Sequence, residues 1–471
     1  MLNQTLQEKY PHLEISVLKL SEVQKDNESK RIDSEFFKKE YFDAMETMQL
    51  NQVEYLGDNM KFNSRYSQPK YDETSKIKVI NSQYIRNEYI DYENAKSGYG
   101  KIVPKESVLI NATGVGTLGR VFINILDFDF SIDSHINVIV VKNKTYLNPY
   151  FLAIFLQSYY GQIQIIRYYS GTSGQIEIYP RDFNYFKIPI FPMEFQLEIQ
   201  NLVKDSHKAL EESKELYKKA EETLYLELGL DPKNPLQSLL DSKIDHSIKS
   251  LNISIRTLKE SFLKTGRLDS EYYQSKYEDI EKFIKSYPNG YDSFSSIINN
   301  KDTNFTPKNN ENYSYIELAN IGNNGNISES ISDLGKNLPT RARRIVSKGD
   351  VIISSIEGSL SSCALITQEF DKHLVSTGFF VLNSKLLNGE TLLVMFKSQI
   401  FQEYLKKFPS GTILCAINKE ELSKILIPKI DSTTQEKIAK YIQESFNLRK
   451  KSKQLLDNAK IKVEEQIQGK I

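Results

Sequence analysis

The spacing of apolar residues changes from strand-like to helical twice along the chain, at corresponding places in its two halves. Short β-branched runs at 107–111, 121–125 and 136–141 predict strands. The run 151–158 predicts a helix, with Pro149 in the first turn, where its missing N–H costs nothing. Matching strands are predicted at 350–354, 363–367 and 379–382, and a matching helix at 392–398. From Phe195 the spacing is helical as far as Gly229, a residue suited to a helix C-terminus. There Val203, Leu210, Tyr217 and Leu224 recur every seventh residue, beside a parallel row of small residues, Ser206, Ser213 and Ala220. The end of the chain repeats the plan with Ile438, Ile442, Leu455, Leu456 and Val463 beside Ser445, Ser452 and Ala459. Heptads of this kind specify a helix–helix seam, and small residues let two axes approach closely. The two helices are therefore expected to pack on each other, antiparallel if the halves are related by an internal two-fold. Each would span about 50 Å at ~1.5 Å per residue.

The duplication is also written in motifs. Arg31-Ile32-Asp33-Ser34-Glu35-Phe36-Phe37 returns as Arg267-Leu268-Asp269-Ser270-Glu271-Tyr272-Tyr273. Ser170-Gly171-Thr172 returns as Ser410-Gly411-Thr412, and Ile188-Pro189 as Ile427-Pro428. The offset is close to half of the 471 residues, far beyond the roughly 20–50 residues of a solenoid repeat. The expected fold is α+β, with two pseudo-symmetric mixed α/β domains separated by two long antiparallel coiled-coil helices. The boundaries expected are a first domain at 1–193, a central helix at 194–229, a linker at 230–250, a second domain at 251–432 and a C-terminal helix at 433–471.

Composition adds little to this picture. Hydrophobic residues make up 39% of the chain, enough for two cores. Charged residues make up 26% with no net charge, which neither requires nor forbids nucleic acid, because binding depends on local patches. Two cysteines, Cys363 and Cys415, suit a reducing compartment. The first residues lack a basic flank followed by an apolar stretch, and no run approaches the ~18 apolar residues of a membrane span. A cytoplasmic protein with no membrane association is expected.

Catalytic chemistry has no visible seat. Gly114-Val115-Gly116-Thr117-Leu118-Gly119 fits the dinucleotide fingerprint, but a predicted strand follows it where that site needs a helix. It reads instead as a glycine-rich turn between strands. Asn148-Pro149-Tyr150-Phe151 reads as a helix start, not a methyltransferase strip. Glu28-Ser29-Lys30 lacks an acidic partner, and the five histidines show no metal-ligand spacing. No cofactor or metal is therefore expected on this chain. Recognition has better candidates. Arg341-Ala342-Arg343-Arg344 is the densest basic cluster. Asn320, Asn323 and Asn324 in a glycine-rich stretch can present amides to base edges or simply build turns. Their first-half counterparts are Arg86 and Asn87. Thr113, Gly114, Thr117 and Arg120 line the glycine-rich turn, and Ser355 and Ser359 its counterpart. Ser170, Thr172, Ser173 and Gln175, together with Ser410 and Thr412, form hydroxyl-rich turns suited to phosphate. Arg167 and Tyr168, just upstream, are expected to add charge and stacking surface.

The repeated Arg-[Ile/Leu]-Asp-Ser-Glu opening, the glycine-rich turn, the Ser-Gly-Thr turn, the Ile-Pro element and the glutamine-containing long helix, in the same order in both halves, resemble the specificity subunits of Type I restriction–modification systems. The resemblance implies two target recognition domains, each reading half of a bipartite, asymmetric site in double-stranded DNA, with the helices fixing the gap. It implies a non-catalytic chain that recruits two adenine methyltransferase subunits and ATP-driven translocase–nuclease subunits. S-adenosylmethionine, ATP and Mg would then belong to the partners. The stretch before each Arg-[Ile/Leu]-Asp-Ser-Glu motif also resembles target-recognition regions of fused Type II restriction–methylation enzymes, and a protein–protein scaffold is a further alternative.

Overall fold

The computed structural model describes residues 2–15, 17–171, 174–241, 255–411 and 415–470. Its contacts divide the chain into two units, Met1–Glu211 with Arg449–Ile471, and Glu212–Leu448.

In the first unit, four antiparallel strands lie in the order Met60–Arg65, Ile136–Val141, Val108–Asn111 and Val121–Ile123. Side chains alternate across a strand, so Val108 and Ile110 face one core while Leu109 faces another. Both faces are covered, and Val108–Asn111, Val121–Ile123 and Ile136–Val141 therefore read as largely apolar runs, whereas the half-exposed edge strand Met60–Arg65 does not. One face carries the helices Lys39–Met48, Pro149–Gln157 and Tyr159–Tyr168. The other carries a smaller sheet of Lys70–Tyr71, Lys96–Tyr99, Lys78–Ile80 and Phe130–Ile132, in which Lys78–Ile80 runs parallel to Phe130–Ile132. The sequence pattern did not predict this sheet, because its strands are two to four residues long and partly polar. Nor did it separate the second helix. The chain breaks at Ser158, in an extended conformation, and turns tightly. Gly161 permits the turn, since a Cβ there would lie 2.3 Å from the Phe155 carbonyl oxygen.

The second unit repeats the main sheet with Ile298–Asn300, Phe379–Ser384, Val351–Ser354 and Cys363–Leu365 in the equivalent order. Its small sheet orders Ile331–Leu334, Asn312–Ile316, Leu374–Ser376 and Ala342–Ile345, again with one parallel pair. The Ile-Pro motif forms a two-stranded ribbon in each unit, Lys187–Pro189 with Val53–Tyr55 and Leu426–Pro428 with Tyr291–Ser293.

Two long helices run Met193–Glu227 and Ser432–Ile467. The first ends as its sequence predicts. Gly229 has φ +76°, and the Leu230 N–H reaches back to the Tyr225 carbonyl. The two helices pack antiparallel within each unit. In the first unit the Ser206 hydroxyl donates to the Ser452 carbonyl at 2.8 Å, and the two hydroxyls lie 2.9 Å apart. In the second, the Ser445 hydroxyl donates to the Ser213 carbonyl at 2.7 Å, with hydroxyls 3.1 Å apart. The rows of small residues thus meet as the heptads predict. All four serines are buried, so their hydroxyls need these partners.

Candidate nucleic-acid interface

A buried glutamine anchors each long helix to its own unit. Gln196 accepts from the Asn148 N–H and donates to the carbonyls of Tyr146 and Phe191. Gln435 does the same with Asn388, Leu386 and Ile430. Asn148 and Asn388 cap the helices that follow them. A second glutamine holds the glycine-rich turn: Gln162 donates to the carbonyls of Gly119 and Leu156, and Gln402 to those of Leu360 and Phe396. The repeated opening motif is a third clamp. Arg31 pairs with Asp33 and donates to the carbonyls of Arg167 and Tyr169, just before Ser170. Arg267 pairs with Asp269 and donates to the carbonyls of Phe408 and Pro409, just before Ser410. Each guanidinium lies over an aromatic ring of its own motif, Phe36 or Tyr272. The motif therefore recurs because it ties the base of the Ser-Gly-Thr loop to the scaffold.

These clamps gather three loops at one end of the first unit. Thr113 bridges to Glu177, which also bridges to Ser170, and the Gly114 N–H donates to the Ile176 carbonyl. The Thr117 hydroxyl closes the turn onto the Thr113 carbonyl at 2.9 Å. Arg120 reaches the carbonyls of Gly116 and Ile85, and the side-chain oxygen of Asn87 accepts from the Val121 N–H at 3.0 Å. Burial and then the neighbouring Arg86 charge hold the Arg120 pKa below its ordinary value. Two guanidiniums side by side repel, and an anion or acceptor edge placed against them relieves that repulsion. Gln175 is exposed on the same loop. Arg65 pairs with Glu177 and also donates to the Ile178 carbonyl, bracing this loop from the sheet. Nothing in the sequence around Arg65 had marked it for this role.

The second unit builds the same end. Ile321 bridges Ile327 as Ile85 bridges Ile90, so the asparagine stretch does correspond to Arg86 and Asn87. Ser410 bridges Ala416, and Ala416 bridges Ile356. Ser355 donates through both its N–H and hydroxyl to the Gly378 carbonyl, and the Ser359 hydroxyl lies 2.7 Å from that of Ser354. Arg341 is exposed, and its carbonyl accepts from the Thr377 N–H. Asn323 is exposed as well.

Several expected contacts need correction. Arg167 is buried at 4% exposure, its guanidinium 4.0 Å from the Phe36 ring and 3.9 Å from the Tyr41 ring. Tyr168 is buried beside it, its hydroxyl donating to the Asp26 carbonyl. Neither offers charge or a stacking face to a surface ligand. Asn320 spends its side-chain oxygen on the Glu317 N–H, and both polar atoms of Asn324 are shut off from solvent, so these two act as turn residues. Arg344 is half-buried and donates to the Phe379 carbonyl, with burial lowering its pKa. Arg343 donates to the Thr340 carbonyl. Thr172, Ser173 and Thr412 lie outside the described residues. Between Asn111 and Val121 the glycine-rich segment is a turn joining antiparallel strands. Among the described residues, no group of three or more carboxylates, histidines or cysteines is placed to hold a metal, and no helix is long and apolar enough to cross a membrane. Cys363 and Cys415 are unpaired thiols.

The S subunit of a Type I restriction–modification system from M. genitalium aligns over 89% of this chain and 95% of its own, at 13% identity and a TM-score of 0.41. The HsdS subunit from Thermoanaerobacter tengcongensis aligns over 89% and 97%, at 14% identity and a TM-score of 0.27. Residues 43–222 match the Type I restriction modification DNA specificity domain. This matched stretch carries the glycine-rich turn, the first Ser-Gly-Thr turn, the first Ile-Pro element and most of the first long helix. The chain is also similar to the Type I restriction enzyme HindI specificity subunit of Haemophilus influenzae (strain ATCC 51907 / DSM 11121 / KW20 / Rd). The two are 29% identical over 129 residues, which is 26% of this chain and 28% of that relative's length.

Proposed function

We propose that this chain is the DNA-reading, non-catalytic subunit of a cytoplasmic restriction–modification complex, and that each unit reads one half of a bipartite, asymmetric site. One observation carries the reading. The same loop cluster is built twice on the same backbone clamps, yet the side chains at its surface differ, with the half-buried Arg86 and Arg120 in one unit and the exposed Arg341 and Asn323 in the other. A scaffold kept constant beneath loops that change suits a reader of two different half-sequences. Phosphate contacts supply affinity, and a few base-edge contacts of ~1–3 kcal/mol each supply specificity. Two adenine methyltransferase subunits, carrying S-adenosylmethionine, and ATP- and Mg-dependent translocase–nuclease subunits complete the proposed complex.

The paired helices are proposed to set the gap between half-sequences. Removing one heptad from each shortens the pair by about 10 Å, or ~3 base pairs at ~3.4 Å each. Methylated sites mapped in cells that supply the partner subunits test this. The gap should shrink or recognition should vanish, while any half-sequences that persist stay the same. Altered half-sequences with an unchanged gap contradict it.

A further inference from the structure

We infer that His135, braced by Thr113, is a base-reading residue of the first unit, and that its replacement by Gly378 beside Ile356 makes the second unit read differently. The inference rests on the DNA-reading function proposed above and deepens it. Four features make these positions equivalent. His135 directly precedes Ile136, which pairs with Asn111, as Gly378 precedes Phe379, which pairs with Ser354. The Ala112 N–H donates to the His135 carbonyl, and the Ser355 N–H to the Gly378 carbonyl, both at 2.9 Å. Two residues upstream, a side chain holds the backbone in each unit. The Asp133 carboxylate accepts from the His135 N–H at 2.9 Å, and the Ser376 hydroxyl accepts from the Gly378 N–H at 3.1 Å. Finally, Thr113 bridges Glu177 as Ile356 bridges Ala416, so both positions sit beside the Ser-Gly-Thr loop.

On this common frame the first unit exposes an imidazole whose Nδ1 lies 3.0 Å from the Thr113 hydroxyl. With Nδ1 engaged, Nε2 is the ring nitrogen left to meet a ligand. It can donate to a guanine edge or accept from the amine of adenine or cytosine, according to tautomer. Asp133 is buried and fixed to the backbone, so the ring stands on a rigid base, which a reader of base edges requires. The second unit offers no such group at this position. Glycine is not forced there by the backbone, because Gly378 is not among the glycines with positive φ. A Cβ on it would meet only the Ser376 hydroxyl at 3.5 Å and the Ile356 Cδ1 at 4.0 Å, ordinary contacts. The difference between the units is therefore one of exposed chemistry, not of fold.

The test uses the full chain assembled with its methyltransferase subunits, selecting from a library of randomised duplexes. With His135→Gly, discrimination at one or two positions of one half-sequence should fall on the order of ten-fold, with the other half and the gap unchanged. Gly378→His, which the local space admits, should change the opposite half alone. His135→Gln keeps a group able to meet Thr113 and should shift the preferred base rather than erase preference. If all three variants enrich the wild-type sequence, the inference is overturned. It is equally overturned if His135→Gly lowers binding to every sequence alike at an unchanged melting temperature, which would mark a phosphate contact. If the wild-type complex enriches no sequence, the DNA-reading function itself fails and the inference with it.

Discussion

The two units share what is buried and differ in what is exposed. Gln196 and Gln435, Gln162 and Gln402, and Arg31 and Arg267 each bond backbone groups of their own unit, and each pair does so at corresponding places. Leaving such groups unpaired costs about 1–3 kcal/mol apiece, so any drift here is expensive. The exposed ends carry no such penalty. His135 faces solvent beside the half-buried Thr113 where Gly378 and Ile356 stand in the other unit, and the strands beneath hold the same register. On the function proposed above, duplication would yield a reader of two unlike targets without a second fold. Even the small sheets conform to this division. Each keeps one parallel pair, Lys78–Ile80 with Phe130–Ile132 or Asn312–Ile316 with Leu374–Ser376, while the outer strands differ.

The largest expected effect probes the shared clamps. Gln196→Ala and Gln435→Ala each remove three hydrogen bonds from a buried site and should each destabilise their unit by about 3 kcal/mol. Urea midpoints for the two variants should drop to a similar degree; a loss in one unit alone breaks the equivalence. Next come the seams. Ser206→Leu in the first unit and Ser213→Leu in the second force a branched side chain between helices whose serines hydrogen-bond at 2.7–3.1 Å, at about 2 kcal/mol each. Thermal melting checks this, and a neutral result at either site would mean that the close approach is not needed there. Smaller effects belong to the exposed ends. Arg86→Ala and Arg341→Ala should each relax one half-sequence by about 1.4 kcal/mol, roughly ten-fold, without affecting stability. Selection from randomised duplexes separates the halves.

The smallest effect concerns pH. Hydrogen bonds from Arg31 and Arg267 hold the Asp33 and Asp269 carboxylates below the usual range. A depressed carboxylate stabilises the fold fully above the unfolded value of about 4, and that contribution is lost as pH falls through the folded value. Both carboxylates are more than two-fifths exposed, so each contributes less than ~1 kcal/mol. Asp33→Asn and Asp269→Asn should each flatten the decline of stability below about pH 4 by a similar small amount, measured by denaturation across that range.

The seam was legible in the sequence because Ser206, Ser213, Ser445 and Ser452 keep heptad spacing beside apolar rows, a pattern that close helix pairing requires and a helix lying alone on a surface does not. Three main-sheet strands in each unit were legible because burial on both faces writes largely apolar runs, whereas the polar edge strands Met60–Arg65 and Ile298–Asn300 were not. The short outer strands were not, since two- and three-residue polar segments carry no period. Arg167 misled for a physical reason. An arginine and a tyrosine beside a hydroxyl-rich turn look the same whether they face in or out, and the rings of Phe36 and Tyr41, far away in sequence, decide the matter. His135 went unnoticed because a lone histidine was weighed only as a metal ligand. Its equivalence to Gly378 rests on backbone bonds, which leave no trace in residue type.

The most direct test of the central claim is the sequence enriched from randomised duplex by the full chain with its methyltransferase subunits, before and after Arg120→Ala. Two unlike half-sequences at a fixed gap are expected, with Arg120→Ala eroding one half and sparing the other. One uninterrupted motif, two identical halves, or erosion of both halves together would contradict it.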